Sequence, residues 1–209
     1  MSRSQPPCFD ASVNVMQFRL VGIDAIKTLF DGWNRFHRVT IRLANASDIE
    51  HTVTHSVEDH GEGVAILPYD PVRRVALLVR QVRTPVAFGY GDGITLEVPA
   101  GGRGEEAPLE AAKRELREEV GVESGALEPI GAGYPMPGVS TELTHLYLAA
   151  FEPHERVDAG GGVVAEGESV EIVEMPLSEL EDAIADSRIK DLKAITLYYA
   201  LRVRHPELF

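Results

Sequence analysis

Hydrophobic and polar residues alternate along the first part of the chain. The segments MQFRLVGIDAI, RFHRVTIRLA and IEHTVTHSVE, all within residues 16–60, follow the period of two that is typical of half-buried β-strands. They predict a small antiparallel β unit. Residues 1–15 are polar and include two adjacent prolines, so we expect this segment to be disordered.

Between residues 61 and 209, strand patterns and helix patterns are mixed. GVAILPYD and RRVALLVRQVR predict a strand pair joined by a turn, and ITLEVPAGG, HLYLAAFE and VEIVEMPL predict further strands. PLEAAKRELREEV, SELEDAIAD and DLKAITLYYALRV predict helices, the first capped by Gly121 and the second opening with a capping box from Ser178 to Glu181. This mixture indicates an α/β or α+β domain in which helices cover a mixed β-sheet.

Composition narrows the possible partners. The chain has 209 residues and a formal net charge of −13, without the basic patch of a nucleic-acid-binding protein. The single cysteine, Cys8, supplies neither a disulfide framework nor a cysteine zinc site. No apolar run has the length of a signal-peptide core or of a membrane span. We therefore expect a cytoplasmic protein that binds neither nucleic acid nor membranes.

The helix predicted over PLEAAKRELREEV concentrates acidic residues on one side. A helical wheel predicts a buried stripe made of Leu109, Ala112, Leu116 and Val120. Glu115 and Glu119 are four residues apart and share a face that borders this stripe, with Glu118 beside them. The opposite, solvent side is predicted to take Glu110, Lys113, Arg114 and Arg117.

Two interpretations account for the acidic face. It can be an ordinary solvated surface, on which pairs of Arg114 with Glu110 and Glu118 relieve the repulsion between carboxylates. Alternatively, a cation lies between the carboxylates, because Mg²⁺ is typically held by one or two carboxylates together with substrate phosphates and water. The spacing of residues over the longer segment that contains this helix favours the second interpretation, a bound cation.

The segment GGRGEEAPLEAAKRELREEVGV resembles the Nudix box, GX5EX7REUXEEXGU with U apolar. The second half of the box matches from Arg114 to Val122, and Glu106 matches the earlier glutamate. The opening glycine of the box falls on Ala100, and Gly101 comes one residue later, so the loop before the helix is one residue short. A similar short loop occurs in the GDP-mannose pyrophosphatase branch of the family.

The resemblance implies a Nudix fold, a mixed β-sheet sandwiched between helices, and hydrolysis of a nucleoside diphosphate linked to another group. It implies that Glu115 and Glu119 are metal ligands and that the carbonyl of Ala100 completes the metal shell. Glu118 and Arg114 are implied as catalytic residues of the same motif. The implied cofactor is Mg²⁺, with Mn²⁺ as a substitute, which activates a water for attack on phosphorus.

Segments on both sides of the box narrow the substrate class. LVRQVR followed by LEVPAGG resembles the ADP-ribose and nucleotide-sugar pyrophosphatases, which implies that Arg80 and Arg83 lie near the diphosphate or a dimer interface. The alternative for each arginine is a polar strand face. MPGVSTE resembles the PG…E loop of the same subfamilies and implies that Pro137 and Glu142 contact substrate, although a Pro-Gly pair is also an ordinary turn.

The glycine-rich segment DAGGGVVAEGESVEIVEMP resembles a loop that carries catalytic glutamates in related enzymes. By position, the resemblance implies that Glu166 is the general base and that Glu168 supports a metal ion. Three successive glycines would give this loop the freedom to move toward bound substrate. The alternative is a polar hairpin loop.

The N-terminal unit resembles the opening strands of GDP-mannose and UDP-sugar pyrophosphatases, which are exchanged or packed across a homodimer. We therefore expect residues 16–60 to mediate dimerisation. The only tryptophan, Trp33, falls where that branch has an aromatic residue near the base, and its flat face suits stacking; a core or interface tryptophan is the alternative. Lys193 matches a lysine that reaches phosphate, or it is a surface lysine in the first turn of a helix.

These patterns favour a Mg²⁺-dependent Nudix pyrophosphatase. Its expected substrate is a nucleoside diphosphate sugar of the ADP-ribose or GDP-mannose type, split into a nucleoside monophosphate and a sugar 1-phosphate. Two alternatives stay open: a Nudix hydrolase of another nucleoside diphosphate derivative, and a Nudix module that binds a nucleotide sugar without hydrolysing it.

Overall fold

The computed structural model describes residues 18–124, 126–163 and 169–209. The described chain divides into two units, one ending at His60 and the other running from Gly61 to Phe209. The segment 1–15, expected to be disordered, lies outside the described residues. Among the helices of the described ranges, none combines the length and the apolar character that crossing a membrane requires.

The first unit is an antiparallel three-stranded sheet in the order β1-β2-β3. Its strands are β1 (Phe18–Asp31), β2 (Arg35–Asn45) and β3 (Glu50–Asp59). The alternating pattern of this region therefore predicts its strands correctly. Within the described part of this unit, Ala44 is the only hydrophobic side chain that is buried.

The second unit contains a mixed sheet that is seven-stranded within the described residues. Its strands are β4 (Glu62–Asp70), β5 (Val75–Val82), β6 (Ile94–Glu97), β7 (Ala100–Gly102), β8 (Leu127–Gly133), β9 (Leu143–Ala150) and β10 (Glu171–Pro176). The main order is β10-β5-β4-β9-β8, with β6 pairing to β5 and β7 pairing to β4. Strands β4 and β9 are parallel, and the other paired strands are antiparallel.

Helices cover both faces of this sheet. They are α1 (Thr84–Tyr90), α2 (Pro108–Val120), α3 (Leu177–Ala185) and α4 (Leu192–Arg204), with short 3₁₀ helices at Pro153–Glu155 and Pro206–Leu208. Because side chains alternate along a strand, Ala65 and Leu67 of β4 pack with buried residues of α3 and α4. Val64 and Ile66 pack with α2 on the opposite face. The predicted fold class, a mixed sheet between helices, is confirmed.

The sequence patterns predict some elements better than others. The helix predicted over PLEAAKRELREEV is α2, residue for residue, whereas α1 and β8 are not predicted. The strand predicted over ITLEVPAGG is split into β6 and β7, because Pro99 has no N–H to donate to a neighbouring strand. The capping box at Ser178 is wrong: α3 begins at Leu177 after Pro176, and no side chain caps it.

Candidate active site

Helix α2 presents two carboxylates on its buried side. The helix ends at Gly121, which takes a left-handed conformation (φ 72°) and donates its N–H to the carbonyl of Arg117. Its buried residues are Ala111, Ala112, Glu115, Leu116, Glu119 and Val120. Leu109, predicted to be buried, is 39% exposed, and Ala111 lies in the core instead. Small side chains at positions 111 and 112 let the helix pack closely on the sheet.

The carboxylates of Glu115 and Glu119 face strand β7. Glu119 accepts a hydrogen bond from the backbone N–H of Ala100 at 2.9 Å. Glu115 lies so close to Gly101 that a Cβ on that glycine would be 2.0 Å from its Oε1 atom. Both glutamates are buried, with 5% and 3% of their surface exposed. The solvated-surface interpretation is therefore wrong for these two residues.

A positive group does lie between the glutamates, and it belongs to the helix itself. The Arg114 guanidinium donates from Nη1 to Glu115 Oε1 and to Glu118 Oε2, both at 2.8 Å. Its Nε donates to Glu106 Oε2 at 2.9 Å, and its Nη2 donates to the carbonyl of Gly102 at 2.9 Å. Arg114 therefore joins three carboxylates and the loop before the helix.

The predicted place of Arg114 on the solvent side is wrong, because its side chain folds back over the carboxylates. Partial burial alone would lower the pKa of Arg114, but the hydrogen bonds to Glu106 and Glu118 raise it well above its ordinary value. The predicted pair of Arg114 with Glu118 is confirmed, whereas Glu110 pairs with Lys113 at 3.0 Å.

The oxygen atoms at this place suit a divalent cation. Hard cations prefer carboxylate and carbonyl oxygens, and the carboxylates of Glu115 and Glu119 both lie against the backbone of β7. Within the described ranges, no three acidic or histidine side chains are already grouped as metal ligands. Glu115 and Glu118 bind Arg114 instead, so a cation would have to compete with this guanidinium for their oxygens.

A second charged cluster lies at the other end of the same backbone segment, beginning with Glu97 of β6. Arg83 donates to both carboxylate oxygens of Glu97, at 2.9 and 2.8 Å, and Thr95 donates to the same carboxylate at 2.7 Å. The Nζ atom of Lys193 is 3.7 Å from Glu97 and donates to Asp191 at 2.8 Å. The structure thus brings together Arg83 and Lys193, two predicted substrate-binding residues.

Electrostatics connect this cluster with the carboxylates of α2. The hydrogen bonds with Glu97 raise the pKa of Arg83 against the opposing effect of burial, and the charge of Glu119 raises it further. Burial alone would raise the pKa of Glu97, but the hydrogen bonds and charge of Arg83 lower it. Glu97 therefore stays ionised, and the charge of Arg83 interacts with the charges of both Glu97 and Glu119.

A cleft of about 640 Å³ opens beside this cluster. Glu97, Asp191 and Lys193 line its charged side, and the exposed Tyr90 and the half-exposed Ile94 line its apolar side. Such a combination of apolar walls and a few fixed polar groups is typical of small-molecule sites.

The remaining predicted substrate-binding residues of the second unit make contacts with residues other than those of this cluster. Arg80 is exposed and its Nη1 donates to both carboxylate oxygens of Glu171 on β10 at 2.9 Å, as expected for a polar strand face. Glu142 accepts from Thr144 at 2.9 Å, and its Oε1 would be 3.7 Å from a Cβ on Gly63. Pro137 lies in an exposed turn.

Trp33 belongs to the first unit, in the connection between β1 and β2. It is 90% exposed, and its ring centroid lies 5.2 Å from that of His60. Within the chain it is therefore not a core residue. Glu166 and Glu168, the predicted base and supporting ligand, lie outside the described residues.

The glycine run before those two glutamates is held in place. Gly161 and Gly162 donate their N–H groups to the carbonyls of Glu119 and Glu118 at 2.9 and 3.0 Å. Val170 donates back to the carbonyl of Gly161 at 3.1 Å. Of the three glycines at 160–162, expected to provide freedom of movement, Gly161 and Gly162 thus cap the end of the helix that carries the carboxylates.

Sequence reasoning missed Glu97 and Asp191 as members of the second charged cluster, and it also missed the ion pair made by Glu62 of β4. Asp191 had a local signal, because an aspartate before an apolar-periodic segment is a helix cap, and it accepts from the N–H groups of Lys193 and Ala194. Glu97 had a weaker signal, an acidic residue within a strand that is otherwise apolar. Glu62 pairs with Arg103 across 41 residues, which no local pattern shows.

Known proteins resemble this chain over most of its length. The family model described as NUDIX domain matches residues 59–196. The chain is 34% identical to the GDP-mannose pyrophosphatase of Yersinia enterocolitica over 170 residues, covering 81% of this chain and 88% of that protein. It is 31% identical to the GDP-mannose pyrophosphatase of Escherichia coli O157:H7 over 180 residues, covering 86% and 93%.

A solved structure described as an ADP compounds hydrolase has the same fold. It superposes with a TM-score of 0.66 at 18% sequence identity, and the match covers 91% of this chain and 95% of that one. At this identity the likeness concerns the fold alone.

Proposed function

This chain belongs to the Nudix hydrolase family, and from that premise we propose that it hydrolyses a nucleoside diphosphate sugar, with GDP-mannose as the leading candidate. The observation that carries the proposal is the buried pair Glu115 and Glu119 at β7, in a chain that is similar over most of its length to GDP-mannose pyrophosphatases. An ADP-ribose-type substrate is the second candidate of the same class.

The proposed reaction is a displacement at phosphorus. A water attacks one phosphorus of the diphosphate and the bond to the bridging oxygen breaks, which gives a nucleoside monophosphate and a sugar 1-phosphate. The proton from the water goes to a base, proposed to be Glu166. When bound, Mg²⁺, or Mn²⁺ in its place, would neutralise the diphosphate and polarise the attacking water.

The residues of the chain take distinct parts in this proposal. Glu115 and Glu119 hold the cation together with the carbonyl of Ala100, and Glu168 is proposed as a further ligand. Glu118 and Arg114 support them, since Arg114 is hydrogen-bonded to Glu115 and Glu118.

The substrate is proposed to lie between these carboxylates and the cleft beside Glu97. Arg83 and Lys193 supply positive charge there, because the charge of Glu119 acts on Arg83 and Lys193 lines the cleft. The other proposed substrate contacts are Arg80, Pro137, Glu142 and Trp33.

The proposal includes a homodimer formed through the first unit, whose apolar side chains are largely exposed. It also includes a cytoplasmic location, since the single cysteine offers no disulfide to an oxidising compartment.

The proposal is tested by incubating the purified protein and Mg²⁺ with GDP-mannose, ADP-ribose, UDP-glucose and a dinucleoside polyphosphate, and identifying the products. We expect one nucleotide sugar to yield its monophosphate fastest and EDTA to stop the reaction. Faster cleavage of the dinucleoside compound would favour the alternative Nudix hydrolase. Binding of a nucleotide sugar without cleavage would favour the non-catalytic module.

Substitution of a proposed ligand separates catalysis from binding. Glu119→Gln keeps the size of the side chain but removes its charge, so kcat should fall by more than about 100-fold, the upper range for losing a group that only supports a ligand. The matched control is Glu123→Gln, because Glu123 is an exposed partner of Arg117 just beyond the end of α2. Retained metal-dependent turnover in Glu119→Gln would contradict the ligand assignment.

A further inference from the structure

A chain of hydrogen bonds begins on the sheet, outside the site described above. At the start of β4, Glu62 accepts at Oε2 from Arg103 Nε at 2.8 Å. The same oxygen lies 2.8 Å from Nε2 of His145 on β9. The three side chains come from two neighbouring strands and from the residue directly after β7.

Arg103 ties this group to the loop before α2. Its Nη1 donates to the backbone carbonyl of Glu106 at 2.9 Å. The backbone makes two further links, because the N–H of Arg103 donates to the carbonyl of Glu62 at 3.1 Å and the N–H of Glu106 donates to the carbonyl of Arg103 at 3.0 Å. One guanidinium therefore fixes both ends of the turn 103–106 to the sheet.

The loop in turn fixes Arg114. The Glu106 carboxylate and the Gly102 carbonyl accept two of its hydrogen bonds, and the other two go to Glu115 and Glu118. Direct hydrogen bonds thus run without interruption from Glu62 through Arg103, Glu106 and Arg114 to the carboxylates of α2.

We propose that Glu62 and Arg103 are positioning residues for the cation site: they brace the loop 102–106, which holds Arg114 and thereby sets the places of the Glu115 and Glu118 carboxylates. The proposal rests on the proposed function only in taking Glu115 to bind a divalent cation, with Glu118 in a supporting part. His145 completes the brace as the second partner of Glu62.

Three features of the molecule support the brace. The loop before α2 is one residue shorter than the Nudix box pattern. A shorter loop has fewer conformations, so hydrogen bonds at its two ends restrict it more strongly. A cation that takes the oxygens of Glu115 would leave Arg114 with three partners, and two of them, Glu106 and Gly102, lie on the braced loop. The hydrogen bonds from Arg103 and then His145 lower the pKa of Glu62 to about 2, which keeps its carboxylate charged.

The test uses the full chain with Glu62→Gln, which keeps side-chain shape, and with Arg103→Ala. Binding of Mn²⁺ is titrated by the electron paramagnetic resonance signal of the free ion, and kcat and KM are measured with the nucleotide sugar that the wild-type protein cleaves. We expect Mn²⁺ to bind about 10- to 100-fold more weakly and kcat to fall, while KM for the nucleotide sugar changes little.

The matched control is Arg73→Ala. Arg73 is also a partly exposed arginine that joins a connection to a strand through a glutamate, Glu174, but none of its described contacts involves the loop or α2. We expect its Mn²⁺ affinity to equal that of wild type. Thermal unfolding midpoints of the variants are compared with that of Arg73→Ala, to show that a loss of Mn²⁺ affinity is not a loss of folding.

Mn²⁺ affinity within about twofold of wild type in Glu62→Gln would overturn the brace, as would an equal loss in Arg73→Ala. If Arg103→Ala does not fold, Glu62→Gln decides the matter alone. The titration needs no turnover. If the wild-type protein cleaves no nucleotide sugar, the proposed function fails while Mn²⁺ affinity still decides the brace.

Discussion

Among single residues, Gly101 is one whose substitution should affect the proposed cation site much more than the stability of the fold. A Cβ at this position would lie 2.0 Å from Glu115 Oε1, and the atom in the way is the end of a side chain. The side chain can move aside at little cost to folding, but only by leaving its place beside β7. We therefore expect Gly101→Ala to lower kcat and divalent-metal affinity at least about tenfold, as losses at positioning residues do, while the thermal unfolding midpoint stays nearly unchanged.

The next residue supplies the control for Gly101→Ala. A Cβ at Gly102 would have no atom within 4 Å, so Gly102→Ala adds the same methyl group without touching a carboxylate. Steady-state kinetics and metal titration of the two variants give the comparison. Equal activity of the two variants would contradict the assignment of Glu115 as a ligand of the cation.

The case of Arg114 shows what a sequence pattern can and cannot predict at this scale. The helical wheel places Glu115 and Glu119 on one face correctly, because the direction of each Cβ follows from helix geometry. It places Arg114 on the solvent side, because the wheel ignores the length of the side chain, which folds back to Glu115 and Glu118. The family motif singles out Arg114 and the glutamates of α2 as candidates. The cluster around Glu97 could not be predicted in this way, because it depends on contacts between distant segments.

Among the elements, the end of α2 and the glycine run at 160–162 form one structural piece. Gly160 has a φ of +60°, and a Cβ there would lie 2.6 Å from the carbonyl oxygen of Glu119. That oxygen belongs to a helix backbone and cannot move aside as a side chain can. Gly160 is therefore required by close approach, whereas the sequence alone suggests only flexibility.

We predict that Gly160→Ala lowers the free energy of unfolding by about 2 kcal/mol, from the left-handed conformation together with the contact to the helix carbonyl. Urea denaturation measures the loss. Gly89→Ala is the control, because Gly89 lies in α1, its φ is not positive and a Cβ there meets no atom within 4 Å. That variant should be neutral or more stable by up to about 1 kcal/mol, the usual gain of Ala over Gly in a helix. Equal losses in the two variants would contradict the requirement for glycine at position 160.

Elements with a strong local pattern are predicted well, and the others are not. Helix α2 has an apolar stripe, a proline at its start and a glycine at its end, and its bounds follow from these signals. Helix α1 has no buried residue, so no apolar periodicity marks it. Strand β8 contains Pro129 and a bulge before Gly131, which break the alternation on which strand prediction depends.

In the whole molecule, the two units differ in how much apolar surface they bury. The second unit has a hydrophobic core on each face of its sheet. In the described part of the first unit, Ala44 is the one buried hydrophobic residue, while Leu20, Ile23 and Ile26 of β1 are 58–63% exposed. A three-stranded sheet without a covered apolar face is not expected to be stable by itself. A second copy of the chain is the occupant proposed for this surface.

The proposed dimer predicts a specific effect of charge on β1. Ile23→Lys combined with Ile26→Lys would place two cations from each protomer in an interface of ordinary size, about 1,200–2,000 Å², so the chain should become monomeric. Sedimentation equilibrium of the two proteins at equal concentration measures the change. Val72→Lys is the control, because Val72 is an 87% exposed apolar residue that belongs to the second unit. A monomeric wild-type protein, or a double variant that stays dimeric, would show that β1 is not the interface, and the exposed apolar strand would then need another partner.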